Sequence, residues 1–255
     1  MKKKIAVIFI PFLLFVLVWD LYVRFLSIPS YILPSPGSFL IELLTVFRQG
    51  EIYTHIYTTL YEIAIGMLLG VLLGLFVGYL VAKSRLIERI LNPYIIIIQI
   101  IPKISIAPLF LLWFGLGANS KIAIIILVVF FPIMVNLIVG LRSIDRNVHA
   151  LLKLVKVNRW QKFRFVEVMY ALPAIISGVK VACTYAITGA VIGEMLGAQS
   201  GLGYLVMLGS ETNEIQIILT SVFLLCIIGL ILYLMIDLFE RKLLGWHETR
   251  ELPLN

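Results

Sequence analysis

A chain of 255 residues that is 61% hydrophobic and only 14% charged excludes an ordinary soluble domain, where about 25% of residues carry charge. The net charge of +7 does not mark a nucleic-acid binder, because the basic residues gather at the ends of apolar runs, where they set membrane topology. A bilayer core about 30 Å thick takes roughly 20 apolar residues per helix, and six such runs occur, at 5–25, 60–81, 93–114, 122–141, 172–196 and 215–238. The expectation is an all-α integral membrane protein with six transmembrane helices, a single multi-pass domain over 1–255 with the lipid bilayer as its solvent.

In chain order, Lys2, Lys3 and Lys4 before an apolar stretch also describe a secretory signal peptide. Asp20, Tyr22 and Arg24 follow in place of a small-residue cleavage pattern, so the run is read as an uncleaved first helix. Asp20 and Arg24 stand four apart and can pair on one face. Residues 27–57 form an outer segment opened by Pro29, Pro34 and Pro36. Phe39, Leu40, Leu43, Leu44 and Phe47 repeat there at helical spacing, as in an amphipathic helix lying on the membrane. Residues 1–56 thus hold the first span and the outer segment, and 57–238 a five-span core.

The second span carries Gly66, Gly70, Gly74 and Gly78, each four residues apart. This glycine face lets another helix backbone approach closely. The third span is interrupted by Pro102 and Pro108, with Lys103 and Ser105 between them. A broken helix at membrane depth is tolerated inside protein or along a water-filled cavity, so the break is the first sign of a pathway. Ionisable intramembrane residues are functional candidates by default. Lys103 is placed to attract an anionic solute or to pair with backbone carbonyls at the break. Lys180, seven residues beyond Pro173, is read as snorkelling to the surface. Glu194 precedes Gly197, Gly201 and Gly203, and either orders a glycine-rich re-entrant turn, the favoured reading, or faces the pathway. Gln99, Asn136, Thr184, Tyr185 and Thr188 complete the polar pathway candidates.

Between the fourth and fifth runs lies a basic segment, 142–168, with Arg142, Arg146, Lys153, Lys156, Arg159, Lys162 and Arg164 against Asp145 and Glu167. Leu151, Leu152, Val155 and Trp160 fall at helical spacing within it. Asn158 followed by Gln161 forms a capping box that starts a second short helix. Large apolar residues on a polar, water-facing knob make a docking surface for a partner. An N-terminus in the cytoplasm puts all but five of the 21 Lys and Arg residues inside, the exceptions being Arg24, Arg48, Lys103, Lys121 and Lys180. Both termini, including the tail 239–255, are therefore expected to be cytoplasmic.

No catalytic or metal site is expected. His55, His149 and His247 lie outside the six runs and far apart, while Cys183 and Cys226 sit inside apolar runs as small hydrophobes. Residues 78–84 superficially suggest a phosphate loop, but Ala82 stands where the Gly-Lys pair needs glycine and the spacing is one residue short.

Several motifs nonetheless carry a family resemblance. Pro93, Pro102-Lys103, the run from Pro108 through Trp113-Phe114-Gly115-Leu116-Gly117, and Ser120-Lys121-Ile122 occur in order. They are followed by Arg159-Trp160-Gln161, Leu172-Pro173-Ala174-Ile175, Gly178-Val179-Lys180, Glu194 to Ala198, Gly201-Leu202-Gly203-Tyr204 and Glu240-Arg241 with Trp246. Together they resemble the permease subunits of bacterial type I ABC importers, in the nitrate, sulfonate, taurine and thiamine-precursor branch.

The resemblance implies a type I importer permease fold in the bacterial cytoplasmic membrane. It implies a second permease copy in a homodimer, two cytoplasmic ABC ATPase subunits and an external solute-binding protein. ATP and Mg would bind the partner ATPase, and this chain would bind no cofactor. It also implies that Ala150, Leu151, Leu152, Val155, Lys156, Asn158, Arg159 and Trp160 form the coupling surface. The solute would be small, an organic anion such as a sulfonate, taurine or nitrate, or a pyrimidine thiamine precursor. Two departures stand out. The family's Glu-Ala-Ala falls on Ala150-Leu151-Leu152, and its turn glycine falls on Lys156, which predicts a reshaped turn because the left-handed conformation disfavours an L-residue. The reading from a different class is an ATPase-independent secondary transporter or channel. Against it stand the absence of an inverted repeat and the scarcity of intramembrane carboxylates.

Overall fold

The computed structural model describes residues 2–244, with side chains over 10–148 and 150–244; the expectations on Trp246 and His247 lie outside these, as does the side chain of His149. All regular elements among the described residues are helical. The first, α1 (Lys2–Phe25), carries the Arg24–Asp20 pair at 2.8 Å. Ser35 then caps α2 (Pro36–Gln49), accepting from the Ser38 amide, and Gly50 ends it at φ 84°. A buried Phe39 ties this amphipathic helix down, touching Trp19 on one side and Phe223 on the other.

The core is a layer of three long helices packed backbone to backbone. These are α3 (Ile52–Lys83), α6 (Ala118–Arg142) and α9 (Val168–Gly197). The four glycines of α3 face α6. A Cβ on Gly70 would lie 2.8 Å from Val129, and one on Gly74 2.8 Å from both Ile133 and the Phe130 carbonyl. On the opposite side of α6, Gly140 meets Ala174 and Ala171 of α9, and Gly178 of α9 meets Asn136. Between these contacts Ile63, Ile125, Val129, Ile133, Ala182, Ala186 and Ala190 are buried. In lipid, where apolar surface gives no drive to associate, such close small-residue packing is what holds helices together.

Four described helical rods are long and apolar enough to cross a membrane, and the bent pair α4 (Arg85–Ile100) and α5 (Lys103–Phe114) makes a fifth if taken as one span. That differs from the six expected; the run at 5–25 is helical within α1, but the side chains of its first residues are not described. The expected third span is two helices meeting at 98°. Pro102 causes the break: it forces Ile101 out of the helical region, to ψ 128°, and cannot continue the amide ladder. Pro108 sits inside α5 without ending it.

Two further boundaries are corrected. The outer segment ends earlier than 57, since α3 begins at Ile52 and takes His55 into a membrane helix. The expected fifth span and second short helix are one continuous rod, Arg159–Gly197, of 39 residues. It comprises α8 (Arg159–Lys162), a π-helical turn (Phe163–Glu167) and α9. Beyond it, α10 (Leu202–Thr212) folds back against α9, and α11 (Ile215–Leu243) closes the bundle.

Candidate coupling face and solute groove

The basic loop is built by local hydrogen-bond chemistry. Asp145 starts α7 (Arg146–Leu154) by accepting from the Asn147 amide at 2.7 Å. The helix ends in a Schellman turn, with Lys156 N–H donating to the Lys153 carbonyl and Val157 N–H to the Leu152 carbonyl, each at 3.2 Å. Lys156 occupies the left-handed position of that turn, at φ 52°. The expected reshaping of the turn is thus corrected: the two backbone bonds hold the glycine-type conformation with lysine in it. Asn158 then opens α8 with the capping box. Its Oδ1 accepts from Gln161 N–H at 2.8 Å, and its own N–H donates to Gln161 Oε1 at 3.1 Å.

These caps leave an apolar edge in the open. Leu154 is 80% exposed, Val155 66% and Trp160 65%, with Leu151 exposed beside them and Leu152 half-buried. Ala150, Lys156, Asn158 and Arg159 are exposed on the same loop. The Trp160 ring rests on Phe163, at 5.7 Å between centroids, where the π turn begins. Buried Glu167 at the end of that turn pairs with Lys83 and with Lys162 (3.7 Å), and accepts from the Tyr79 hydroxyl at 3.2 Å. Arg142 reaches Glu88 at 2.7 Å. The loop is therefore tied through side chains to the ends of α3, α4 and α6, and through its backbone to α9.

At the α4–α5 break two adjoining hollows of about 320 and 380 Å³ lie against α6 and α9. Gln99, Lys103, Val128 and Tyr185 line both; Thr188 faces one and Asn136 the other. Lys103 Nζ stands 5.6 Å from the Phe131 ring centre and forms no ion pair among the described residues. No carboxylate lines either hollow. The groove so formed offers amide, hydroxyl and ammonium donors between apolar walls, as small-solute sites do.

Other pathway candidates fall elsewhere. Ser105 is exposed on α5, and exposed Thr184 bonds back to the Lys180 carbonyl at 3.3 Å; neither lines the groove. Glu194 is a structural residue, 1% exposed. It accepts from Thr59 Oγ1 and from Gly203 N–H, both at 2.6 Å, and the Gly201 backbone passes so close that any side chain there would strike its carboxylate. These bonds hold the turn, and Glu194 lines neither hollow. Lys180 does not snorkel freely; it pairs with Asp237 at 2.9 Å and with Glu240, both on α11. The nearer opposite charges offset the desolvation that snorkelling would have avoided.

Sequence reasoning missed three members of the Glu194 cluster. Lys121, named only among the five basic residues not placed inside, is buried, donating to the carbonyls of Gly197 (2.8 Å), Gly117 (3.0 Å) and Leu116. Thr59 accepts from Leu202 N–H at 2.9 Å, and Glu62 lies 2% exposed. The signal was present, since Glu62 is an acid inside an apolar run. His55 Nδ1 accepts from Gly201 N–H at 3.0 Å, completing the clamp on the turn before α10.

The chain as a whole is similar to known proteins. Residues 66–245 match the family described as the binding-protein-dependent transport system inner membrane component. The chain is 35% identical over 240 residues to the riboflavin transport system permease protein RibX of Chloroflexus aurantiacus, covering 94% of this chain and 90% of that one. It is 32% identical to the formylaminopyrimidine transport permease protein ThiX of Halalkalibacterium halodurans, over 94% and 95% of the two chains. It is 26% identical to the taurine transport system permease protein TauC of Escherichia coli, over 90% and 86%. Among solved structures, inward-facing MetNI methionine ABC transporter superposes with a TM-score of 0.66 at 19% identity, over 75% of this chain and 95% of that one, a likeness of fold.

Proposed function

Because this chain belongs to the family of binding-protein-dependent transport system inner membrane components, we propose that its basic loop, 142–168, is the face through which a cytoplasmic ATPase drives it. The chain is a permease subunit of an ABC importer and not an enzyme; hydrolysis of ATP belongs to a separate subunit. One observation carries the coupling assignment: Leu154, Val155 and Trp160 stand exposed on the basic loop, and the helix that bears Trp160 continues without interruption into α9. An exposed aromatic anchor of this kind gains most when a partner pocket covers it.

In this reading ATP and Mg bind two ATPase subunits, whose closure displaces α7 and α8. The ties from Glu167 to α3 and from Arg142 to α4 turn that displacement into a tilt of whole helices. A second copy of the chain completes the pore, an external binding protein delivers the solute, and both termini lie in the cytoplasm. The groove at Lys103 is this copy's share of the pathway. Its donors and its freedom from carboxylates support an acceptor-rich solute. The unpaired Lys103 favours an organic anion, whereas Gln99, Asn136 and the Tyr185 ring favour a pyrimidine-type solute.

Uptake into proteoliposomes holding the permease and ATPase, with the binding protein outside, tests the proposal. ATP-dependent accumulation is expected, and Lys103→Met should slow anion uptake tenfold or more while pyrimidine uptake falls less. Accumulation that proceeds without the ATPase would instead support a secondary transporter.

A further inference from the structure

A third hollow, of about 410 Å³, lies between α3, α6 and α9 near the basic loop and away from the solute groove. Its walls are apolar, formed by Leu75, Phe76, Leu80, Leu137, Ala171 and Ile175. Tyr79, Phe163 and Glu167, on the basic-loop side of α3 and α9, also line it. Glu167 is where Lys83 and Lys162 converge, so two lysines share one carboxylate of this lining. Among the described residues one positive charge there has no counter-ion of its own, and both side chains are more than a third exposed.

We propose that this groove holds an acyl chain of an anionic phospholipid from the leaflet at the basic end, with the headgroup phosphate at Lys83 and Lys162. Three features agree. The apolar depth matches a hydrocarbon tail and offers water no partners. Tyr79 sits at the boundary, as aromatic residues do at headgroup level, and the lysine stems can run along apolar surface while their ammonium groups meet phosphate. The charge excess selects an anionic headgroup. A second copy of this chain is the poorer occupant, because a two-fold contact sets a patch against itself, and here that would oppose lysines to lysines.

Native mass spectrometry of the full-length protein, titrated with phosphatidylglycerol and phosphatidylcholine of identical acyl chains, tests the assignment. The wild type should retain phosphatidylglycerol about fivefold better. Lys162→Gln should bring the ratio towards one while tail binding persists, and Val168→Trp, which fills the groove, should remove both lipids. Lys162 is on the surface, so its variant does not depend on repacking the core. Equal retention of the two lipids by the wild type would overturn the proposal, as would unchanged retention by Val168→Trp. So would a disulfide between two copies of Phe76→Cys in native membranes, which would make the groove a permease–permease contact.

Discussion

Lys156 shows how a single residue can keep a geometry it does not favour. At φ 52° it holds the left-handed end of α7, which costs an L-residue about 1–2 kcal/mol, and the two amide bonds of the Schellman turn retain it there. Lys156→Gly removes that strain, although glycine gives back part of the gain through unfolded-chain entropy. The variant should therefore keep its fold and its ATPase, with loop stability raised by roughly 1 kcal/mol. Amide hydrogen exchange over 146–162 measures this; faster exchange in the variant would show that lysine makes a contact of its own. Glu194 is the opposite case, a residue whose replacement should be costly. Glu194→Ala leaves the Gly203 amide and the Thr59 hydroxyl without their buried acceptor, a loss of about 1–3 kcal/mol for each such group. Its mark should be a fall in folded yield with no change in apparent solute affinity of the protein that survives. Normal yield with weakened affinity would return Glu194 to the pathway.

The α3–α6 pair carries the argument for whole helices. The glycine face was legible from its spacing of four, and the identity of the opposing helix was not, because periodicity gives a face without its partner. The partner is α6 of the same chain, with Ile126 O, Val129 and Ile133 set where side chains on Gly70 and Gly74 would go. Gly70→Leu should therefore abolish folding of the single chain, read as loss of monodisperse protein after extraction; a folded variant defective only in pairing with a second copy would contradict this placement. The same limit explains the other corrections. Pro102 announced a break, but its 98° angle depends on what α5 packs against. Lys180 stood out as a charge in an apolar run, yet its partner Asp237 lies 57 residues away; Lys121 likewise reaches the Gly197 carbonyl, 76 residues on. Caps written within four residues, as at Asn158 and Gln161, were readable because both halves of the interaction are local.

For the molecule as a whole, the sequence was most informative where composition itself does the physics. Apolar runs and their basic ends give a multi-pass membrane protein, and the basic loop with its exposed apolar edge supports the docking face proposed above. Cysteine labelling should find positions 49 and 210 outside and 85, 89 and 159 inside; an external 159 would point the loop away from ATP. The account turns on whether that loop transmits ATPase motion, and Trp160 is an exposed aromatic anchor on it. Truncating such an anchor commonly costs about 2 kcal/mol or more, roughly a 30-fold loss of affinity. The most direct measurement is ATPase binding and uptake by purified Trp160→Ala in lipid. Binding should fall about 30-fold and ATP-driven uptake should be lost, with insertion and lipid retention unchanged. Wild-type ATPase affinity together with wild-type transport would contradict the coupling assignment.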